Sequence, residues 1–317
     1  MVEAINLAIV VPCYNEQEVL PDASARLAAK RAQLIKDGLI SEASRIAFVD
    51  DGSRDSTWPM IEKLHSEHPG VFCGIKLSRN RGHQNALMCG LLTLKDSVDA
   101  AVSIDADLQD DVDVIDDMVR KYAEGCEIVY GVRSDRTSDS FFKRTTAQGF
   151  YRFMKFLGAD VVYNHADFRL MGKRALNALS EYREVNLFLR GIVPMLGYKT
   201  GAVTYARTER KAGVSKYPLS KMLRFAFEGI TSLSTRPIRI ITFLGLSIFS
   251  ASFMMIVYFF VRYFTGHTVA GWPSLICSVW GIGGLILFSV GIVGEYIGKI
   301  YLETKARPRF IVEKFLK

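Results

Sequence analysis

The chain has 317 residues, 49% of them hydrophobic, and 40 Lys and Arg stand against 33 Asp and Glu for a formal net charge of +7. That length exceeds one ordinary domain and falls short of three, and the apolar share is high for an enzyme wholly surrounded by water. The basic excess lacks the aromatic-basic pattern of a nucleic-acid binder, so anionic headgroups and phosphates are the expected partners, and no nucleic acid.

The five cysteines, Cys13, Cys73, Cys89, Cys126 and Cys277, are scattered without a C-x-x-C pair. They read as reduced, small apolar side chains and not as a metal centre. The opening MVEAINLAIVVPCYNE is short and has no positive flank, so a secretory signal is not expected.

From there apolar runs alternate with helical periodicity. Strands are expected at Leu7 to Val11, Ile46 to Val49, Val71 to Leu77, Ala100 to Ile104 and Glu127 to Val132. Helices are expected from Glu16 to about Lys36, Ser56 to Glu67, His83 to Lys95 and Val112 to Glu124. Nearly continuous apolar strands separated by helices predict an α/β domain with a mainly parallel, Rossmann-like sheet covered on both faces. Such sheets bind ligands beyond the carboxyl ends of their strands. Here those ends are Pro12 to Glu16, Asp50 to Ser53, Arg79 to His83, Asp105 to Asp107 and Arg133, polar or charged in every case.

The fourth end, SIDADLQDD at 103–111, crowds four carboxylates behind an apolar run. Asp110 and Asp111, with Asp113 beyond them, read as charges opening a helix, where the macrodipole favours them. Asp105 and Asp107 lie two apart where the chain begins to turn. That spacing lets one carboxylate reach a divalent cation while the other reaches a hydroxyl or a second position on the cation. Mg²⁺ and Mn²⁺ take oxygen ligands of this kind and share them with substrate phosphates.

Further along, Tyr217 to Arg239 mixes apolar residues at helical spacing with Lys221, Arg224 and Arg236, the pattern of an interfacial amphipathic helix or of an ordinary docking helix. Ile240 to Val261 and Leu275 to Val293 carry no charge and are each about the 20 residues a membrane crossing needs. Arg224, Arg236 and Arg239 precede them and Lys299, Lys305, Arg307, Arg309, Lys314 and Lys317 follow, whereas Tyr263 to Ser274 holds neither Lys nor Arg. By the positive-inside rule both termini face the cytoplasm and the short loop faces outward. The expected plan is a cytoplasmic catalytic domain at 1–216, a juxtamembrane segment at 217–239, two transmembrane helices at 240–298 and a basic cytoplasmic tail at 299–317. Gly281, Gly283, Gly284 and Gly291 in the second span are small enough for helix contacts, and so for a homo-oligomer.

PCYNE at 12–16, VDDGSRDST at 49–57, SRNRGHQNAL at 78–87, DADLQ at 105–109 and GVRSDR at 131–136 resemble the family 2 glycosyltransferases. ADFRLM at 166–171, RKAGVSKY at 210–217 and GEYIGKIYLETKARPRF at 294–310 are similar to the polyprenyl-phosphate glycosyltransferases, most of all the bactoprenol glucosyltransferases of O-antigen modification. The resemblance spans nearly the whole chain, and it implies a GT-A fold. It implies inverting transfer of a hexose, glucose from UDP-glucose foremost, to undecaprenyl phosphate at the inner face of a bacterial cytoplasmic membrane. A flippase and an outward-facing glycosyltransferase would then use the product. Position by position, it assigns Pro12, Tyr14, Glu16, Val49, Asp51 and Asp105 to the nucleotide sugar and Asp107, with Gln109, to Mg²⁺ or Mn²⁺. It assigns Arg133 and Arg144 to the lipid phosphate, and Arg210 and Lys216, flanked by Ser215 and Tyr217, to the diphosphate. Asp167 falls where a catalytic base is placed, though a carboxylate there can equally orient a sugar hydroxyl or pair with Arg169.

Other donors (GDP-mannose, UDP-N-acetylglucosamine, galactose or aminoarabinose derivatives) are compatible with the same residues. A processive synthase is disfavoured, because no Arg precedes a Trp anywhere in the chain. An inactive membrane scaffold is disfavoured by the intact Asp105, Asp107, Arg210 and Lys216. His83 and His165 stand in no partner pattern and read as surface or packing residues.

Overall fold

The computed structural model describes residues 4–133, 165–185, 187–205, 234–265 and 272–317. The chain divides into two compact units, the first made of residues 1–148, 161–217 and 307–317, the second of 149–160 and 218–306.

The first unit is built on one eight-stranded sheet in the order β7-β5-β6-β4-β1-β2-β3-β8. In chain order its elements begin with β1 (Leu7–Cys13), α1 (Leu20–Lys36), β2 (Arg45–Asp50), α2 (Thr57–Glu67), β3 (Phe72–Leu77), α3 (His83–Leu94) and β4 (Ala100–Ser103). A 3₁₀ turn at Val112–Val114 leads into α4 (Ile115–Ala123), followed by β5 (Ile128–Arg133), β6 (His165–Gly172), α5 (Lys173–Ser180), α6 (Leu189–Met195), β7 (Thr200–Tyr205) and, at the end of the chain, β8 (Val312–Leu316).

β1 pairs in parallel with both β2 and β4, β2 with β3, and β5 with β7. β6 runs antiparallel to β4 and β5, and β8 antiparallel to β3. The sheet is therefore mixed. Every residue of β1 and β4 is buried, which is why those runs read as uninterrupted apolar stretches. Leu7, Ile9 and Val11 face a core closed by α1, α2 and α4, while Ala8 and Val10 face the opposite core under α3, α5 and α6. Fully burying a side chain of this kind contributes roughly 1.5–3 kcal/mol, so the two faces hold the sheet as a three-layer sandwich. Gly90 lets α3 lie close, since a Cβ there would stand 2.5 Å from Val10 Cγ1 and 2.7 Å from Val49 Cγ2.

Two sequence boundaries move. The helix expected from Glu16 starts at Leu20, because the backbone amides of Asn15, Glu16 and Gln17 bond instead to Ser53, Thr57 and Asp55. The helix expected from Val112 opens as a 3₁₀ turn capped by Asp111, whose carboxylate accepts the Asp113 amide at 3.0 Å. Within the segment expected as a basic tail, Val312–Leu316 forms β8, tied by Lys76–Glu313 and Lys314–Glu62 pairs of 2.8 Å each.

The second unit contains two long helices, α7 (Arg236–Phe264) and α8 (Trp272–Thr304). Of the expected amphipathic segment 217–239, residues 217–233 lie outside the described residues, and Arg236 and Arg239 begin α7. The hydroxyls of Thr242, Ser247, Ser250 and Ser289 each bond back to the carbonyl four residues earlier, as polar side chains on an apolar helix do. Phe243 is 73% exposed and Leu287 75%, a surface that water does not favour. Among the described residues Gly281–Thr304 is long and apolar enough to cross a membrane.

Candidate active site

After β3 the chain returns across the sheet to place β4 on the other side of β1. The order reverses between β1 and β4, and a crevice opens at such a switch point, beyond the carboxyl ends of the two strands. Tyr14, leaving β1, and Asp105, leaving β4, flank it.

The walls of this crevice are loops laced to one another. Asn15 takes a positive φ of 55°, and its Oδ1 accepts the Arg54 amide at 2.9 Å while its own amide donates to Ser53 Oγ at 2.9 Å. Gly52 has φ +70°, and a Cβ there would lie 2.7 Å from Arg79 C and Asn80 N. Only glycine satisfies both demands. Asp51 is buried, and its two carboxylate oxygens accept the Arg81 and Gly82 amides at 2.7 and 2.9 Å. Burial raises its pKa, and those two amides oppose the rise.

Asp51 thus anchors the turn that starts α3. Pro12 and Val49 are buried strand residues, whereas Tyr14 is exposed and Glu16 half-buried beside it.

On the other wall, Asp105 and Asp107 are both partly exposed, and the Gln109 amide lies 3.4 Å from Asp107 Oδ1. Leu108, between them and the following turn, has φ 43°. The Asp105 carboxyl is raised above the ordinary carboxylate value by desolvation in the crevice floor, and nearby Asp167, Asp110 and Asp107 add to the rise against the pull of His83.

Two further groups converge here because β6 is antiparallel, so that its first residues lie at the edge where β4 and β5 end. Asp167 is 14% exposed and accepts Arg169 Nη2 on Oδ1 at 2.7 Å. Arg190, from α6, reaches it from the other side, Nε to Oδ1 at 3.3 Å and Nη2 to Oδ2 at 3.2 Å. Burial works against the Asp167 charge, but these guanidiniums prevail and hold its pKa well below the usual carboxylate range. The pairing with Arg169, one of the three roles open from sequence, is present. His83, the first residue of α3, puts Nε2 3.4 Å from Asp105 Oδ1 and 4.0 Å from Asp167 Oδ2. It stands near both carboxylates, and its position straight after a strand-end turn was the available signal. Nothing in the sequence marked Arg190, which follows no strand.

Asp110 corrects an expectation. It is buried and does not open a helix in solvent: Arg133 Nε and Nη2 donate to its Oδ1 at 3.1 and 2.9 Å, and Tyr205 Oη donates at 2.7 Å. A carboxylate removed from water needs such partners, and β5 and β7 supply them. Arg133, expected on a lipid phosphate, is its counter-ion. Arg144, Arg210, Ser215, Lys216 and Tyr217 lie outside the described residues.

Comparison with known proteins agrees with this arrangement. Residues 8–180 match the family described as glycosyl transferase family 2. An uncharacterized glycosyltransferase of Bacillus subtilis, YkoT, is 55% identical over 97% of this chain and 91% of its own length. The bactoprenol glucosyl transferase of Shigella phage SfX is 38% identical over 98% of this chain and 99% of its own. A prophage bactoprenol glucosyl transferase homolog of Escherichia coli is 37% identical over 99% of this chain and the whole of its own. With its strand-end aspartates on an α/β sheet of the GT-A kind, the chain is a glycosyltransferase belonging to glycosyl transferase family 2.

Proposed function

We propose that the protein transfers glucose from UDP-glucose to undecaprenyl phosphate, with inversion at the anomeric carbon, at the cytoplasmic face of a bacterial membrane. The observation that carries this reading is likeness over nearly the full chain, long apolar helices included, to proteins named bactoprenol glucosyl transferase. The crevice chemistry is in keeping with it.

A phosphate monoester has a second pKa of about 6, so near pH 7 its oxygen is already a competent nucleophile. That oxygen forms the new bond to C1 of the sugar as the bond from C1 to the β-phosphate oxygen breaks on the opposite face. UDP leaves with the bonding electron pair. No proton has to be removed from the dianionic acceptor, so the clamped, weakly basic Asp167 is compatible with turnover.

The residues fit a hard divalent cation, Mg²⁺ or Mn²⁺. Asp105 and Asp107 offer oxygen donors; desolvation raises the Asp105 pKa foremost, and the neighbouring carboxylates that add to the rise are negative charge a dication would offset. Among the described residues no group of three His, Cys, Asp or Glu side chains is set to hold a metal, so remaining ligands would come from the donor's diphosphate. Once bound, the cation neutralises charge building on the departing diphosphate. Asp105 and Asp107 would hold it, with Gln109 behind them, and Tyr14 and Glu16 would meet the nucleotide. Arg210 and Lys216 are proposed to grip the diphosphate, and Arg144 to serve the lipid phosphate. α7 and α8 would span the membrane with the short loop outward, keeping the isoprenoid chain in lipid, and the glycines of α8 are proposed contacts between copies.

The test is incubation of the purified full-length protein with undecaprenyl phosphate and a panel of labelled nucleotide sugars. UDP-glucose should yield a lipid-extractable labelled product in a dication-dependent way. Labelling from another nucleotide sugar in its place would overturn the donor, and labelling from none would overturn the reaction.

A further inference from the structure

We propose that a basic, partly apolar strip of the first unit, formed where residues 307–311 cross the loops after β3 and α5, lies on anionic lipid headgroups of the bilayer. The proposal rests on α8 crossing that bilayer, as read above, and adds a second place where the chain meets it.

Three stretches far apart in sequence come together here. The Ser78 amide donates to the Ile311 carbonyl at 3.0 Å, and Arg309 Nη1 donates to the Tyr182 carbonyl at 2.9 Å. Phe310, between Arg309 and Ile311, packs on the core under α3, α5 and α6, as Tyr182 does. These contacts bring Arg79, Arg183 and Arg307 onto neighbouring stretches of backbone. All are exposed, and among the described residues none of them pairs with a carboxylate. Glu181 and Glu184 stand close to Arg183 in sequence, yet neither is its ion-pair partner.

Like charges gathered on one face repel across a Debye length of about 8 Å, and a face that keeps them together suits an anionic surface. The same strip leaves Ile311 53% exposed, with Pro308 exposed before it. A branched apolar side chain set among arginines fits a bilayer boundary, where the apolar group enters and the guanidiniums meet phosphates. A soluble anion would use the charge and leave Ile311 in water. Position favours lipid as well. Arg307 stands three places after Thr304, the last residue of α8, and such a stretch spans at most about 10 Å. In the orientation proposed above, that end of α8 meets the cytoplasmic leaflet, whose lipids carry negative charge.

The experiment compares hydrogen–deuterium exchange of the full-length wild type with that of a variant carrying Arg79→Gln, Arg183→Gln and Arg307→Gln. Both are placed in nanodiscs of phosphatidylcholine alone and of equal parts phosphatidylcholine and phosphatidylglycerol. Wild-type amides in 78–80, 181–184 and 307–311 should exchange roughly fivefold or more slowly in the anionic discs. Molar salt, which screens charge within about 3 Å, should remove that difference, a comparison that needs no variant. The variant should exchange alike in the two lipids, with β1 amides as slow as in wild type to show an intact fold, and lysine at the same positions should restore the slowing. Equal wild-type exchange in both lipids overturns the proposal, and so does slowing that survives in the folded variant. The same slowing produced by inorganic phosphate in phosphatidylcholine discs also overturns it, marking a site for a soluble anion. Failure of the parent reading shows separately, as α8 amides that exchange fast in both lipids.

Discussion

Carboxylates dominate this crevice, and their roles diverge according to what surrounds each. Asp105 and Asp107 were legible because two acids at a strand end form a recognisable pattern. Asp110 was not, since its partner Tyr205 lies 95 residues away in sequence and on another strand. Asp167 has a depressed folded pKa, so its contribution to stability is present above about pH 3.9 and is lost only as pH falls through the lowered value. Asp167→Asn should therefore cost roughly 3–5 kcal/mol throughout pH 5–8, the penalty for leaving a buried guanidinium unbalanced. Thermal unfolding of the solubilised protein checks this, and equal stability at pH 7 would mean that Arg169 is balanced elsewhere. Gly52→Ala meets both a positive φ and the Arg79–Asn80 backbone at 2.7 Å, so at least about 1–3 kcal/mol should be lost. A melting temperature unchanged from wild type would contradict that.

Among the elements, the strand–helix alternation up to β5 was legible because buried parallel strands leave continuous apolar runs. β6 was not, although ADFRLM was noticed as a motif, because its alternation of Asp167 and Arg169 with apolar residues looks polar until those charges are seen paired. Its antiparallel direction depends on a long connection that local pattern does not encode. β8 hid in a basic stretch for a similar reason: Glu313 pairs with Lys76 on β3, and Lys314 with Glu62 on α2. Leu316 lies over Gly74, where an added Cβ would come within 3.2 Å of its Cδ1. Truncation before Ile311 should uncover that edge and remove roughly 2 kcal/mol of apolar burial. The expected sign is a melting temperature lower by about 4–8 °C, with aggregation seen on gel filtration. A truncated protein that stays monodisperse with an unshifted melting temperature would show β8 to be dispensable.

At the scale of the whole molecule, a three-layer α/β unit and a pair of long apolar helices share one chain, which suits the proposed reaction, with an acceptor in lipid and a donor in water. The central claim is that a dication held at Asp105 and Asp107 joins the nucleotide sugar to the protein. The most direct measurement is an electron paramagnetic resonance titration of Mn²⁺ into solubilised full-length protein, with and without UDP-glucose, for wild type and Asp107→Ala. The account predicts one Mn²⁺ bound per wild-type chain, tightened by UDP-glucose, and at least a roughly hundredfold weaker site in Asp107→Ala. Equal Mn²⁺ binding by the two proteins in the presence of UDP-glucose would contradict it.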